Sequence, residues 1–519
     1  MTFRITYSVL DADMSEVHAA FDDGLSSARA KRGAVVPSWI DGEAVESGEL
    51  LSSHSPIDGA LLCQAHAAPV SDLDRAIAAA KRAQREWAAL PWQERVSTVR
   101  KAADLISARR MEFSAVMAME VGKNRLESMG DVEESADLLR YYAGQLEAAE
   151  GFVTPLQPLS ANEDVRSVLR PYGVFAVIAP FNFPAALSAG MSGGALLGGN
   201  AVILKPAEDT PWCTEYLYQC FADAGFPRGL FQVLHGRGEV IGDALVRHKG
   251  IDGVAFTGST AVGQHIFRIM TEKRVKPVFM EMGGKNPAIV AADANLDDAV
   301  TGVYKSIFGL SGQKCSACSR VYVHNSLKGA FIEKMLAKVA EMKIGDPTDK
   351  DVYMGPVINA EAVARFEDAV ARARKDGSVL CGGERLTEGA LAAGHFVAPT
   401  LVEVPRDHWL EKNELFLPFA MIAGFDDLDD AMARANDVDY GLTAGVYSAD
   451  DATVDWFLDN IEAGCVYTNR AAGATTGAWP GVQAFCGWKG SGSTGKGGCG
   501  PYYVAQFMRE QSHTRVLKG

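Results

Sequence analysis

The sequence lacks the features of a secreted, membrane-spanning or nucleic-acid-binding protein. Its first ten residues contain neither the apolar core nor the small-residue cleavage site of a secretory signal. The charge-free stretch at residues 171–204 is interrupted by prolines, glycines and Asn182, so we expect two buried strands joined by a loop and a helix there, and no membrane span. Positive charge is in deficit, with a formal net charge of −15. This balance argues against nucleic acid and anionic membranes as partners.

The nine cysteines lack the spacing of a disulfide framework or of a metal site. Their odd number, scattered through a chain of 519 residues, predicts a reducing compartment, and we expect a cytoplasmic location. Cys315 and Cys318 form a C-x-x-C, but no second such pair and no H-x-x-x-H accompanies them, so no metal is expected. Cys318 is interpreted as a packing residue, and a thioredoxin-like redox pair is the alternative.

What the sequence does contain is a candidate nucleophile with suitable companions. Cys315 lies just after Gly312 in a segment of small and polar residues, FGLSGQKCSACSR. Upstream, Asn182 and Glu281 come at or just after the ends of short apolar runs typical of buried strands, and two glycines beyond Glu281 allow another backbone or a ligand to come close. A thiol, a carboxylate and an amide are the nucleophile, base and oxyanion donor of acyl transfer. We therefore predict an acyl-transfer site formed by Cys315, Glu281 and Asn182.

The length predicts two or three domains, because 519 residues are too many for one compact core. Helical periodicity predicts helices at residues 14–30, 91–110, 131–149, 297–308, 327–342, 361–375 and 450–461. Short apolar runs predict strands at residues 174–178, 201–204, 230–234, 253–256 and 278–281. Strands that alternate with helices predict a mostly parallel sheet with ligands at the C-terminal ends of its strands. We therefore expect Asn182, Lys205, Glu208 and Ser259 along one rim.

These segments, in this order, resemble the aldehyde dehydrogenase superfamily from about residue 40 to the C-terminus. The resemblance implies an α/β fold with a doubly wound, Rossmann-like NAD domain, an α/β catalytic domain and a small β oligomerisation element. The implied boundaries are an N-terminal extension at 1–40, the NAD-binding domain at 41–150 and 172–282, the catalytic domain at 283–483, and the oligomerisation element at 151–171 and 484–519. A homodimer or a larger homo-oligomer is implied as well.

The resemblance also implies an NAD site. Residues 256–263, FTGSTAVG, look like a strand entering a turn that opens a helix, where backbone N–H groups can hold a phosphate; the resemblance places the pyrophosphate at Gly258 and Ser259. It assigns Lys205 and Glu208 to the adenosine ribose, and a carboxylate there repels a 2′-phosphate, so NAD is predicted over NADP. Further implied cofactor residues are Glu414, which is expected at the nicotinamide ribose, Phe416, Pro180 and Phe181. Leu417 stands where the family usually has glycine.

The segment GQKCSACSR and the TGA at residues 476–478 are most similar to the Δ1-pyrroline-5-carboxylate dehydrogenases. These enzymes oxidise glutamate γ-semialdehyde to glutamate through a cysteine thiohemiacetal and a thioester. The resemblance implies that the Ser316 hydroxyl and the backbone amides of Gly477 and Ala478 hold the substrate carboxylate in an anion nest, and that Phe485 is a further substrate residue. Glu281 favours an acid as the product over transfer to coenzyme A.

Two alternatives remain open. An aromatic or aliphatic aldehyde is favoured if Phe183, Trp479 and Phe485 line an apolar pocket instead of a carboxylate site. A non-catalytic, NAD-binding or structural member of the superfamily is the remote alternative, and the intact Asn182, Glu281 and Cys315 argue against it. Cys486 also departs from the family, which usually has glycine there.

Overall fold

The computed structural model describes residues 14–472 and 479–518 of the chain. The α-helices in these ranges are α1 (Ser15–Ala30), α2 (Leu73–Ala89), α3 (Trp92–Ala108), α4 (Arg110–Val121), α5 (Arg125–Ala148), α6 (Ala186–Leu197), α7 (Pro211–Ala224), α8 (Asp243–Arg247), α9 (Thr260–Thr271), α10 (Leu296–Phe308), α11 (Asn325–Ala340), α12 (Ala360–Asp376), α13 (Trp409–Lys412), α14 (Leu428–Asn436) and α15 (Asp451–Asn460). Each helix predicted from periodicity is present, with shifted ends.

The strands carry the sheets that position the site. They are β1 (Ala34–Val36), β2 (Ser38–Ile40), β3 (Glu43–Val45), β4 (Leu50–His54), β5 (Leu61–His66), β6 (Val153–Pro155), β7 (Glu163–Pro171), β8 (Val174–Ile178), β9 (Ala201–Lys205), β10 (Phe231–Val233), β11 (Gly253–Thr257), β12 (Val278–Glu281), β13 (Asn286–Val290), β14 (Cys318–His324), β15 (Ser378–Cys381), β16 (Thr400–Glu403), β17 (Phe419–Phe425), β18 (Tyr440–Gly441), β19 (Thr443–Tyr447), β20 (Cys465–Thr468), β21 (Trp488–Lys489) and β22 (Met508–Val516).

The first large sheet has the strand order β12-β11-β8-β9-β10-β2-β3. Its five strands from β12 to β10 run parallel, and β2 and β3 add antiparallel at one edge. Counted along the chain, these five parallel strands have the order 3-2-1-4-5 of a doubly wound dinucleotide fold. The order reverses between β8 and β11, so a crevice is expected beyond the carboxyl ends of these two strands. The predicted Rossmann-like sheet is confirmed.

Helix α6 lies buried against the first sheet and α5. Nearly all its residues are small or apolar, as expected for a helix that is covered on every side. A Cβ added at Gly190 would lie 3.0 Å from Leu138, and one at Gly193 would lie 2.4 Å from Leu139. Glycine at these two positions therefore allows α5 and α6 to pack closely, which brings the loop before α6 against α5.

The second large sheet has the order β15-β16-β17-β14-β13-β19-β20, and all its strands except the edge strand β15 run parallel. The chain passes from β12 of the first sheet to β13 of the second through four residues that include Gly283 and Gly284. A Cβ at Gly283 would lie 2.0 Å from a Glu414 carboxylate oxygen, and one at Gly284 would lie 2.4 Å from the Cys315 carbonyl oxygen. The two glycines predicted to permit a close approach do so here.

A smaller antiparallel sheet has the order β22-β7-β6. Strand β22 pairs with β7 over nine residues, from Met508 opposite Pro171 to Val516 opposite Glu163. Past Met508, every residue of β22 is exposed. The two segments predicted to form the oligomerisation element therefore pair with each other.

Segments near both ends of the described chain pack in the core of the first sheet. Phe21, Leu25 and Ala28 of α1 share the buried core of that sheet, and so do Val504 and Phe507 near the C-terminus. Residues 15–30 of the N-terminal extension are thus part of a folded unit, and the domain boundaries given above remain predictions. Among the residues that the structure describes, no helix is both long and apolar enough to cross a membrane.

Candidate active site

The segment before Cys315 is a left-handed turn. Leu310, Ser311 and Gly312 have φ of 50°, 53° and 68°, a conformation that costs free energy for residues other than glycine. Two hydrogen bonds hold it, because the Leu310 N–H donates to Glu127 Oε1 at 2.7 Å and the Ser311 hydroxyl donates to the Gly355 carbonyl at 2.8 Å. Backbone strain that neighbouring contacts maintain is frequent at functional sites. This turn fixes where the thiol lies.

Two amide side chains, the predicted donor Asn182 and also Asn286, lie against the backbone around Cys315. Asn182, which is 3% exposed, follows β8 and donates from Nδ2 to the Gln313 carbonyl at 3.0 Å. Asn286 at the start of β13 donates to the carbonyls of Cys315 and Ala317 at 2.8 and 2.9 Å. The structure therefore brings Asn182 to the turn before Cys315, although 131 positions separate Asn182 from Gln313.

Glu281 ends β12 and lies in the same cavity wall as Cys315. Its Oε2 accepts the Gly487 N–H at 3.0 Å. Burial raises the pKa of the Glu281 carboxyl to about 8, which the hydrogen bond from Gly487 partly offsets. Burial also raises the pKa of the half-buried Cys315 thiol, and the nearby Glu414 and Glu281 carboxyls raise it further. At neutral pH this site therefore rests with a protonated carboxyl beside a neutral thiol.

Glu414 lies against the glycine pair between the two sheets. Its Oε1 accepts the Gly284 N–H at 3.0 Å, and burial raises its pKa to about 7. Leu417, the departure from the family motif, is buried, and its backbone carbonyl faces the hydrogen atoms of Gly312. Phe416 has a φ of 60°, and its ring packs edge-on against Phe181 with centroids 5.9 Å apart.

The other predicted cofactor residues gather at the rim of the first sheet. Lys205 ends β9 with its Nζ 3.5 Å from Glu208 Oε1, and Glu208 also accepts the Gly238 N–H at 2.6 Å. Burial lowers the pKa of Lys205, and Glu208 opposes this shift. Gly258 and Ser259 follow β11, and the Ser259 hydroxyl caps α9 by accepting the Val262 N–H at 3.4 Å. Pro180 and Phe181, both half-buried, follow the neighbouring β8.

The cavity at the thiol has mixed walls. Ser316, which is 5% exposed, Phe183 and Phe485 line it together with Cys315 and Glu281. Its other walls include aromatic and thioether side chains, which are Tyr142, Met191, Phe279 and Tyr503. Gly477 and Ala478, predicted to hold a substrate carboxylate, lie outside the described residues.

Cys318, Cys486 and Trp479 each contact a polar group of the protein. Cys318 is buried, with its thiol 3.6 Å from the Arg320 carbonyl, which agrees with a packing role. The thiol of Cys486 faces the Gly464 carbonyl at 3.6 Å. The Trp479 indole donates to Asp137 at 2.9 Å. Among the residues in the described ranges, no group of three or more His, Cys, Asp or Glu side chains could hold a metal ion.

Sequence reasoning missed a group of charged residues at the start of α5. Lys123 and Asp131 form an ion pair at 2.7 Å, and both side chains are 0% exposed. Glu127 Oε1 accepts the Leu310 N–H and lies 3.6 Å from the Nζ of Lys314, the residue before Cys315. Charged residues near the start of a helix normally lie in solvent, so the apolar periodicity of the sequence does not identify these residues as buried. Asn124, whose side chain accepts the Glu127 N–H, is a helix-start signal that could have located this segment.

The chain is similar to known proteins over nearly its whole length. The sequence profile described as "Aldehyde dehydrogenase family" matches residues 39–513. The 1-pyrroline-5-carboxylate dehydrogenase from Thermus with bound NAD is 33% identical, with 100% of each chain covered and a TM-score of 0.93. Proline utilization A (PutA) from Bdellovibrio bacteriovorus is 34% identical with a TM-score of 0.92; the match covers 97% of this chain and 52% of that one. An NADP-dependent enzyme of E. coli is 31% identical, with 93% and 98% covered and a TM-score of 0.86.

The chain therefore spans about half the length of the Bdellovibrio protein and the whole length of the Thermus one. The family profile covers both large sheets except Ser38, the turn before Cys315, and the β22-β7-β6 sheet up to His513. From this match and the arrangement of the site, we conclude that the chain belongs to the aldehyde dehydrogenase family.

Proposed function

We propose that this protein oxidises L-glutamate γ-semialdehyde to L-glutamate with NAD, with Cys315 as nucleophile, Glu281 as general base and Asn182 as oxyanion donor. The observation that carries the substrate assignment is the match to the Thermus 1-pyrroline-5-carboxylate dehydrogenase over all of both chains. Support comes from Ser316, a buried hydroxyl next to the nucleophile in the cavity wall. The proline-catabolism assignment rests on these relatives.

The residues at the first sheet fit a dinucleotide. The N-terminus of α9, at Gly258 and Ser259, lies beyond the carboxyl end of β11, where N–H groups and the helix dipole favour a pyrophosphate. Lys205 ends β9 and Glu208 follows it, and the Glu208 carboxylate can accept hydrogen bonds from ribose hydroxyls while repelling a 2′-phosphate. Glu414, Phe416, Pro180 and Phe181 complete the proposed contacts. NAD, when bound, accepts the hydride of the aldehyde.

The first half of the reaction joins the aldehyde carbon to Cys315. Glu281 takes the thiol proton, the sulfur attacks the carbonyl carbon, and the carbonyl oxygen becomes an oxyanion. The Asn182 amide and the Cys315 backbone N–H stabilise it; losing one such donor typically lowers the rate by about 10²- to 10³-fold. Loss of hydride then leaves a thioester on Cys315.

The second half releases the acid. Glu281 first releases the thiol proton to solvent and then takes a proton from water, and the resulting hydroxide attacks the thioester carbon. The bond to sulfur breaks, and the thiolate of Cys315 leaves. Positioned general bases typically contribute about 10²- to 10⁴-fold. Because burial raises the pKa of Glu281 to about 8, this base is stronger than an ordinary carboxylate and less often unprotonated at neutral pH.

A broader aldehyde dehydrogenase is the second candidate. Phe183 and Phe485 line the cavity, which favours an apolar chain, whereas Trp479 is engaged with Asp137. A non-catalytic member of the family is the remote candidate. It would be favoured if a Cys315→Ala variant had the same effect in cells as the wild type. We further propose that the chain forms a homodimer or a larger homo-oligomer through the β22-β7-β6 sheet.

The test is the rate of NADH formation with four aldehydes: glutamate γ-semialdehyde, succinate semialdehyde, an aliphatic aldehyde and benzaldehyde. We expect glutamate γ-semialdehyde to have the highest kcat/KM by about tenfold or more, the discrimination expected from a carboxylate contact. NADP in place of NAD is expected to lower kcat/KM. If an uncharged aldehyde is preferred, the substrate assignment is wrong while the thiol mechanism stands; inactivity of Cys315→Ala checks that mechanism.

A further inference from the structure

Lys123 places a buried ammonium in the wall of the catalytic cavity. It follows Gly122, the left-handed residue that ends α4, and it lines the same cavity as Cys315. Its Nζ donates to Asp131 Oδ2 at 2.7 Å, and both side chains are 0% exposed. Replacing a buried ion pair by apolar residues of similar volume is often neutral or stabilising. Stability alone therefore gives no reason for this pair.

The ammonium also contacts an aromatic ring of the cavity. The Nζ of Lys123 lies 3.6 Å from the centroid of Phe183, the residue directly after Asn182. A cation over a ring face is attracted by the ring quadrupole, and the attraction is strongest where water is excluded. Phe183 itself lines the cavity. The ammonium therefore holds one face of a ring that borders the aldehyde site.

Asp131 restrains the backbone that carries this ring. Its second oxygen, Oδ1, accepts the N–H of Ala186, the first residue of α6, at 2.7 Å. Ala186 is three residues after Phe183. One carboxylate thus binds the ammonium that contacts the ring and also the backbone of the loop that carries Asn182 and Phe183.

We propose that Lys123 and Asp131 are positioning residues that fix the plane of Phe183 and so determine which aldehydes the cavity accepts. The ion pair acts through the ring and does not touch the reacting atoms. The aldehyde favoured is one whose unbranched carbon chain lies against the ring. This inference rests on the proposed dehydrogenase activity, but it does not depend on which aldehyde is the substrate.

The test is a double-mutant cycle between the ion pair and the ring. The pair is replaced by Lys123→Met with Asp131→Asn, which removes both charges, keeps the volume and leaves an oxygen for the Ala186 N–H. The ring is replaced by Phe183→Leu. The four proteins, which are the wild type, each replacement and their combination, are compared in kcat and KM for the aldehyde with the highest wild-type kcat/KM.

We expect either replacement to raise KM by about tenfold, with kcat changed by less than about threefold, because the ring is lost or no longer fixed. The KM of the combined variant is expected to be no higher than that of Phe183→Leu alone. The reason is that the effects of mutating residues that contact each other and act together do not add. Additive effects, or an unchanged KM in Lys123→Met/Asp131→Asn, would overturn the inference.

A control separates positioning from loss of stability. Leu146→Ala removes a buried side chain at the other end of α5, roughly 20 Å along the helix. It is expected to lower the melting temperature without changing KM. If glutamate γ-semialdehyde is a poor substrate, the double-mutant cycle is measured with the preferred aldehyde, and only the substrate assignment fails. If no aldehyde is oxidised, the proposed function and this inference both fail.

Discussion

At the scale of single residues, burial determines the chemistry of the proposed base. Glu281 is surrounded by protein and accepts the Gly487 N–H at 3.0 Å, and burial raises its pKa to about 8. A carboxyl with a raised pKa is protonated below that value and acts as a base above it. The basic form of Glu281 therefore accumulates as the pH rises through about 8.

Glu281→Gln is expected to lower steady-state kcat by about 10²- to 10⁴-fold, because thioester hydrolysis loses its base. In the wild type, kcat is expected to rise between about pH 7 and pH 9, and the variant is expected to lose this dependence. Stopped-flow NADH formation and a pH series of kcat measure both effects. A variant that keeps the wild-type kcat and pH profile would assign the base role to another group.

The same shift predicts how stability depends on pH. The folded state holds a proton on Glu281 that the unfolded chain releases near its ordinary pKa of about 4.3. The contribution of Glu281 to the free energy of unfolding is therefore fully present below about pH 4, and it is lost as the pH rises through about 8. Relative to Glu281→Gln, the wild type is expected to lose stability over this window, as urea unfolding at pH 5 and pH 9 would show. A constant difference between the two proteins would contradict the shift.

At the scale of elements, one turn joins the two halves of the site. Leu310 to Gly312 form it, α5 supplies Glu127 from one side, and the Leu417 carbonyl lies against Gly312 from the other. A Cβ on Gly312 would lie 2.0 Å from that carbonyl oxygen. The turn thus depends on glycine for two reasons, its positive φ and the close backbone.

Gly312→Ala is expected to destabilise the protein by about 2–4 kcal/mol, because a left-handed alanine costs about 1–2 kcal/mol and the clash adds to it. Activity is expected to fall because Cys315 moves. Gly225→Ala is the matched control, since Gly225 has a φ of 91° with no atom within 4 Å of an added Cβ, so only the conformational cost applies. Equal losses in urea unfolding would show that the Leu417 contact is unimportant.

At the scale of the whole molecule, the β22-β7-β6 sheet leaves all of β6 and most of β22 exposed. Strand β22 is an edge strand, and its residues after Met508 are exposed. Long exposed edges are usually paired or covered in native proteins. A second copy of the chain is the proposed cover.

A chain that ends at Phe507 is expected to lose the oligomer, because β22 is removed while the buried Val504 and Phe507 are kept. Light scattering coupled to size exclusion would show a smaller assembly than the full chain forms. Arg515→Ala, a single exposed change on β22, is the control and is expected to keep the assembly. An unchanged mass for the shortened chain would place the interface elsewhere.

Local patterns predicted most of the fold. The strands at 174–178 and 278–281 lie where short apolar runs predicted them. The helix predicted at 131–149 begins earlier, at Arg125, because Asn124 caps it. Apolar runs and turn residues act over a few positions, so they are visible in a sequence. The spacing of motifs likewise indicated the family, because such spacing reflects the whole fold.

The sequence by itself determined the elements, the family, and Cys315, Glu281 and Asn182 as candidates. Tertiary structure decided the left-handed turn that Glu127 holds, the raised pKa of Glu281, and the contact of Lys123 with Phe183. Each of these depends on groups that are far apart in the chain and meet only in the folded protein, where exclusion of water changes the energies of charges. No local pattern encodes such a meeting, and so the structure was needed to find it.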